Sequence, residues 1–187
     1  MPPKIRISEE KIIEKSLEIV RKKGVDALNA RSLAGELGCS VQPIFRAFSS
    51  MGELKAAVFE RVAAYYQQFL RDGISKQDGL VGLEMAYIRF AREEKFYFQW
   101  LHMSDRLGLA ETKEFTSVGI NKEIIKVMAK ATGLDEEKTT ELYLGAFYAA
   151  HGIATMLATN HCTFHDEEIR RIMENVFEGL VMKLRNQ

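Results

Sequence analysis

The chain has little of what builds disulfide frameworks, β-sheets or membrane anchors. Its 187 residues include two cysteines, Cys39 and Cys162, and three prolines. Two isolated cysteines exclude a disulfide framework, and we expect both to stay reduced. No stretch of about 18 apolar residues could span a membrane. The first residues lack the apolar segment of a secretory signal, so the sequence predicts a cytoplasmic protein.

Charge is balanced over the whole chain but uneven along it. The formal net charge is zero. Residues 1–61 hold 11 Lys/Arg against 8 Asp/Glu, whereas residues 62–187 hold 15 against 18. A basic N-terminal part on an acidic body is compatible with a nucleic-acid partner, although many domains carry such a small excess by chance.

Apolar residues recur at helical spacing almost throughout, and no run of alternating β-branched residues indicates a strand. We therefore predict an all-α protein. Ser8, Asn29, Ser40, Ser50 and Asp135 are placed as N-caps, and glycines as helix ends. The predicted helices cover 8–23, 30–37, a short segment after Ser40, 51–72, 80–93, 94–104, 112–131, 136–159 and 166–184.

Residues 29–54 are the most informative segment. They predict a helix from Asn29 to Leu37, a turn at Gly38, a short helix containing Pro43, and the start of a fourth helix after Ser50. This order is typical of a helix-turn-helix, whose second helix enters the DNA major groove. The predicted organisation is an N-terminal three-helix DNA-binding domain at residues 1–50 and a larger helical ligand-binding and dimerisation domain at 51–187.

The chain resembles the TetR family of transcriptional regulators over about residues 8–60. The resemblance rests on Asn-Ala-Arg-Ser-Leu-Ala at 29–34, Gly-Cys-Ser at 38–40, Ile-Phe-Arg-x-Phe at 44–48 and Ser-x-x-Glu-Leu at 50–54. It implies a homodimeric repressor that binds palindromic double-stranded DNA. It also implies a small-molecule effector that changes the distance between the two DNA-binding domains of the dimer. No resident cofactor or metal is implied.

The reading surface departs from the family pattern at three positions. Phe45, Ala47 and Met51 stand where the family commonly has Tyr, His and Lys that contact phosphates. Gln42 is the best base-reading residue, since its amide matches adenine in the major groove. Arg46 either contacts a phosphate or a guanine, or is a surface charge in contact with solvent. The DNA-contact candidates are Arg31, Ser40, Val41, Gln42, Pro43, Arg46, Ser49 and Lys55.

Aromatic residues concentrate in the body and predict a pocket for an apolar or aromatic effector. A packed core explains any single one of them better than a pocket does, and His151 by itself is interpreted as a core or interface histidine. The ligand-contact candidates are Tyr87, Phe90, Phe98, Trp100, His102, Met103, Phe115, Phe147, Tyr148 and His151.

Two further functional classes remain to be weighed. No nucleotide-binding, serine-hydrolase, zinc-protease or dinucleotide motif occurs, which argues against an enzyme. The alternative to a DNA-binding regulator is a dimeric ligand- or protein-binding module with a weakened DNA-reading surface. The apolar residues at Phe45, Ala47 and Met51 motivate this alternative.

Overall fold

The structure, a computed structural model, describes residues 7–73, 81–104, 112–117 and 119–187. Within these ranges the chain forms ten α-helices, a 3-10 turn at Val25–Ala27 and no strand, which confirms the all-α prediction. The helices are α1 (Glu9–Lys23), α2 (Ala30–Leu37), α3 (Gln42–Ala47), α4 (Met51–Gly73), α5 (Gly82–Glu93), α6 (Lys95–His102), α7 (Thr112–Ser117), α8 (Gly119–Thr132), α9 (Glu136–Ala158) and α10 (Asp166–Arg185).

Most of the predicted helix ends are confirmed. The Ser8 side chain accepts a hydrogen bond from the backbone N–H of Lys11, and Asn29 caps α2 through the N–H groups of Arg31 and Ser32. Gly38 ends α2 in the left-handed conformation with φ of 64°, which a residue with a side chain rarely adopts. The predicted start at residue 80 and the middle of the helix predicted at 112–131, residue 118, lie outside the described residues.

The start of α3 differs from the prediction. Ser40 does not cap it; the flanking residue is Val41, whose backbone is already helical and whose side chain forms no capping hydrogen bond. The Val41 carbonyl accepts from the N–H groups of Ile44 and Phe45. Pro43 is therefore the second residue of the helix. Its missing N–H and fixed φ favour this start without a side-chain cap.

Two compact units make up the chain. The N-terminal unit comprises the described residues within Met1–Gln68 together with Glu94–Ser104, and the body unit comprises those within Phe69–Glu93 and Asp105–Gln187. The functional boundary predicted at residue 50 stays a prediction, because compactness alone does not separate DNA-reading helices from the first turns of α4.

In the N-terminal unit, α1 packs against α2, α3 and α6. Ile44 and Phe48 are buried in this core, as their spacing of four residues, about one helical turn, predicts. The α6 helix is held on α1 by polar contacts: the Tyr97 hydroxyl donates to the Leu17 carbonyl at 3.0 Å, and Arg21 pairs with Glu94. The fully buried apolar side chains include Ile12, Val20, Leu33, Ile44, Leu54 and Val58.

In the body unit, α9 is the central helix and packs against α5, α8 and α10. Small residues on α9 allow this close packing: Ala146 and Ala154 are fully buried, and a Cβ at Gly145 would come within 2.7 Å of Leu180 on α10. Among the described residues, none of the helices combines the length and apolarity that crossing a membrane requires.

Candidate DNA interface and aromatic cluster

The α3 helix separates buried from exposed side chains sharply. Ile44 and Phe48 face the core, while Val41 and Phe45 are 40% and 47% exposed. Gln42 is exposed beside them. The second helix of the helix-turn-helix therefore has one face that no other part of its unit covers. In a helix-turn-helix bound to DNA, this face lies against the edges of the bases.

The cations predicted to contact DNA are available in this structure. Arg31 and Arg46 are exposed and Lys55 is half-buried. None of the three forms an ion pair with a described residue. Unpaired cations near a reading helix can neutralise phosphates without first breaking a protein contact.

Ser49 is engaged inside the protein. Its backbone N–H donates to a carboxylate oxygen of Glu53 at 2.6 Å, and its hydroxyl donates to the same oxygen. In return, Ser50 accepts from the Glu53 N–H at 3.1 Å, which caps α4. The two hydrogen bonds from Ser49 lower the pKa of Glu53. A phosphate at Ser49 would therefore meet a carboxylate, so this candidate contact is the least favourable of the predicted set.

Four of the predicted ligand residues meet in the body unit. The rings of Phe115 and Phe147 lie 4.8 Å apart, Tyr87 lies 5.6 Å from Phe147, and His151 stacks on Phe147 at 5.7 Å. Tyr143, which the sequence analysis missed, stacks on Phe147 at 6.1 Å. These five residues, Tyr87, Phe115, Tyr143, Phe147 and His151, are called the aromatic cluster below.

Of the other two predicted ligand residues in the body unit, one packs elsewhere and one adjoins the aromatic cluster. Phe90 is fully buried and packs on Phe69 at a ring separation of 5.2 Å. Tyr148 is 57% exposed on α9, and its ring lies 5.9 Å from that of Phe147.

The remaining candidates belong to the N-terminal unit, where they pack among its helices. His102 lies between Tyr66 and Phe98, and Trp100 packs edge-on against Phe59. Met103 is exposed. Sequence position alone suggested one pocket, but the fold distributes these aromatic residues over two compact units.

Polar groups line the aromatic cluster. The Tyr87 hydroxyl and Nδ1 of His151 are joined by a hydrogen bond of 2.8 Å. The Tyr143 hydroxyl donates to the Asn121 side-chain oxygen at 2.8 Å. Burial lowers the pKa of His151, so its imidazole is neutral at neutral pH. Apolar faces with a few placed polar atoms are typical of small-molecule sites.

Glu84, on the first turn of α5, is a functional candidate that the sequence analysis missed. Its side chain is 3% exposed, and its Oε2 atom accepts no hydrogen bond from the described residues. Burial raises the pKa of Glu84 to about 7, against a smaller opposing effect of its own backbone N–H. An acidic residue in the first turn of a helix is ordinary in sequence, so nothing in the local sequence distinguishes this one.

A separate cleft of about 780 Å³ lies in the body unit among α7, α8 and α9. None of the predicted ligand residues lines it, and its lining residues are Lys113, Thr116, Ser117, Lys122, Ile125, Lys126, Ala129, Glu136, Glu137 and Thr140. Within the described ranges, no group of three or more His, Cys, Asp or Glu side chains is placed to hold a metal ion.

Comparison with known proteins connects this geometry to one architecture. No protein-family profile and no curated protein matches the chain. Among solved structures it is similar to the crystal structure of a TetR-like transcriptional regulator from Rhodococcus sp. RHA1, with a TM-score of 0.64 and 12% sequence identity. The match covers 95% of this chain and 96% of that chain, so it extends well beyond the helix-turn-helix. The chain therefore has the fold of a TetR-like transcriptional regulator.

Proposed function

We propose that the protein is a sequence-specific DNA-binding transcriptional regulator of the cytoplasm, acting as a homodimeric repressor under the control of a small apolar or aromatic effector. The observation that carries this proposal is the uncovered α3 face, on which Val41, Gln42 and Phe45 are exposed above the buried Ile44 and Phe48. Such a face on the second helix of a helix-turn-helix is suited to the major groove of a palindromic duplex.

The exposed residues on and near α3 differ in the DNA contacts that their chemistry allows. Gln42 can donate to and accept from adenine, and the exposed apolar side chains of Val41 and Phe45 suit thymine methyl groups. Arg31, Arg46 and Lys55 supply charge for phosphates, which sets affinity and orientation but not sequence preference.

Dimerisation through α9 and α10 is supported by the apolar groups that these helices leave exposed. Tyr148 and Met156 on α9 are 57% and 41% exposed, and Met182 on α10 is 68% exposed. Gly152, between Tyr148 and Met156 on the same side of α9, has no atom within 4 Å of the position of a Cβ. Packing two copies of α9 and α10 would bury this surface in a four-helix arrangement.

Effector control is supported by the aromatic cluster, which is built from α5, α7 and α9. Phe115, Phe147 and His151 are only partly buried, so the cluster offers apolar surface to a small molecule. A ligand that favours one arrangement of the body would change the distance between the two DNA-binding domains of a dimer. Affinity for DNA would then fall although the ligand touches none of the residues that contact bases.

The test is fluorescence anisotropy with duplexes selected from genomic fragments, compared with random duplexes at two salt concentrations. Wild type is expected to prefer the selected duplex. Gln42→Ala is expected to lose that preference while keeping most of its affinity for random DNA. Equal losses on both duplexes would show that Gln42 does not read a base.

A second candidate, a dimeric ligand- or protein-binding module with a weakened reading surface, is favoured by two observations. Phe45 leaves a large apolar side chain exposed, and the Ser49 hydroxyl is engaged by Glu53. A heparin column separates the candidates: a DNA-binding protein is retained at low salt, whereas the module elutes early.

A further inference from the structure

Glu84 is a buried carboxyl group whose hydrogen-bonding capacity is not filled. It is 3% exposed, Oε2 has no hydrogen-bond partner among the described residues, and neither lysine nor arginine pairs with it there. An unpaired buried acceptor costs free energy, more so when it is charged. Among the described residues no side chain donates a hydrogen bond to Oε2, although α5 packs closely against α9.

The surroundings of Glu84 are aromatic. Tyr87 follows it by three residues, so both lie on one side of α5, and Tyr87 contacts Phe147 and His151 of α9. On α9, Tyr143 precedes Phe147 by one turn and stacks on it. Burial, and secondarily the charge of Glu84, raise the pKa of Tyr143, which places the two side chains within electrostatic reach.

The residues of this group differ in how far they are exposed to solvent. Phe115, Phe147 and His151 are half-buried, whereas Tyr143 and Glu84 are 2% and 3% exposed. Glu84 and Tyr143 are therefore the most buried residues of this group, and Phe115, Phe147 and His151 are the more accessible ones.

We propose that Glu84 and the aromatic cluster bind an organic cation, an ammonium group carried on an apolar body, and that this is the class of effector the protein senses. This inference rests on the proposed effector control and deepens it. The carboxylate pairs with the cationic group, and the faces of Tyr143, Phe147 and Phe115 stabilise it through cation–π contacts while covering the apolar body.

Other ligand classes fit this site less well. An anion would be repelled by the ionised form of Glu84, and a neutral apolar molecule would leave Oε2 unpaired and even less solvated. His151 is neutral, so it neither repels the cation nor competes with it for the carboxylate.

The test is isothermal titration of the full chain with four small aromatic probes of similar size. Phenethylammonium and benzyltrimethylammonium carry a positive charge, phenethyl alcohol is neutral and phenylpropanoate is negative. The variants are Glu84→Gln, which keeps shape and removes the charge, and Glu93→Gln as a control at an exposed position on the same helix.

The expected result is binding of both cations to wild type and to Glu93→Gln, with affinity reduced about tenfold or more in Glu84→Gln. The neutral probe is expected to bind weakly to all three proteins and the anion to none. No binding of either cation to wild type, or equal cation affinity in Glu84→Gln, would overturn the proposal.

Anisotropy on the selected duplex, measured with the same preparations, separates this proposal from the function on which it rests. DNA binding without cation binding would overturn only the effector class. Cation binding without DNA binding would uphold the site and overturn the regulator function.

Discussion

Arg21 on α1 and Glu94, the residue before α6, form a bidentate ion pair although they lie 73 positions apart in the sequence. Nε of Arg21 donates to Oε2 of Glu94 at 2.7 Å, and a second guanidinium nitrogen donates to Oε1. The Tyr65 hydroxyl donates to Oε1 at 2.9 Å. Glu94 is 3% exposed, so its charge depends on these partners. The pair joins α6 to the helix that supports α2 and α3.

Removing the guanidinium is therefore expected to weaken the N-terminal unit. Arg21→Met keeps the apolar stem but leaves the buried Glu94 carboxylate with Tyr65 alone, and we expect a loss of about 1–3 kcal/mol in the free energy of unfolding. Urea denaturation measures it. Arg61→Met is the matched control, because Arg61 and Glu10 form a 2.7 Å pair in which both side chains are about half exposed. Equal effects of the two substitutions would contradict a special role for Glu94.

The raised pKa of Glu84 predicts that the free energy of unfolding depends on pH. Its pKa in the folded protein, about 7, lies above its ordinary value of 4.5 because burial disfavours the charge. The folded state thus binds more protons than the unfolded state between pH 4.5 and 7, and stability falls as pH rises through that window. The contribution lost by pH 8 is about 3 kcal/mol.

Comparing Glu84→Gln with wild type isolates this effect. The urea midpoint of wild type, relative to that of the variant, is expected to fall between pH 4.5 and 8. Nearby Tyr143 stays protonated over this range. His151, whose pKa is lowered, changes stability in the opposite sense below its ordinary value and is present in both proteins. Parallel pH profiles would mean that Glu84 titrates normally.

The sequence predicts well what depends on local chemistry. Ser8, Asn29, Gly24 and Gly38 lie at helix ends because capping hydrogen bonds and left-handed glycine are encoded within a few residues. The burial of Ile44 and Phe48 follows from their helical spacing. Ser40 failed as a cap because Pro43 starts α3 without one.

What the sequence did not predict depends on contacts between distant residues. The Arg21–Glu94 pair has no local signature, and neither has the distribution of Trp100 and His102 to the N-terminal unit. Glu84 was missed because burial, and not residue type, distinguishes it from the other acidic residues near helix starts.

A pair of glycines on α9 separates dimerisation from folding. A Cβ at Gly152 meets no atom within 4 Å, so Gly152→Leu is expected to fold yet dissociate the dimer by obstructing the α9 surface. Gly145→Leu should instead reduce stability, because its Cβ would come within 2.7 Å of Leu180. Sedimentation velocity and thermal unfolding distinguish the two outcomes. A Gly152→Leu protein that sediments like wild type would exclude α9 from the interface.

Met51, at the start of α4, gives a quantitative test of phosphate contact. It is partly exposed and stands where the TetR family, which the chain resembles, commonly has lysine. Met51→Lys is expected to raise affinity for selected and random DNA alike, and to steepen the dependence of log K on log salt by about 0.9, because one more phosphate is neutralised. Val127→Lys adds the same charge at a 65% exposed position on α8 and should leave the slope unchanged. If both substitutions steepened the slope equally, the gain would reflect net charge and not a contact at the start of α4.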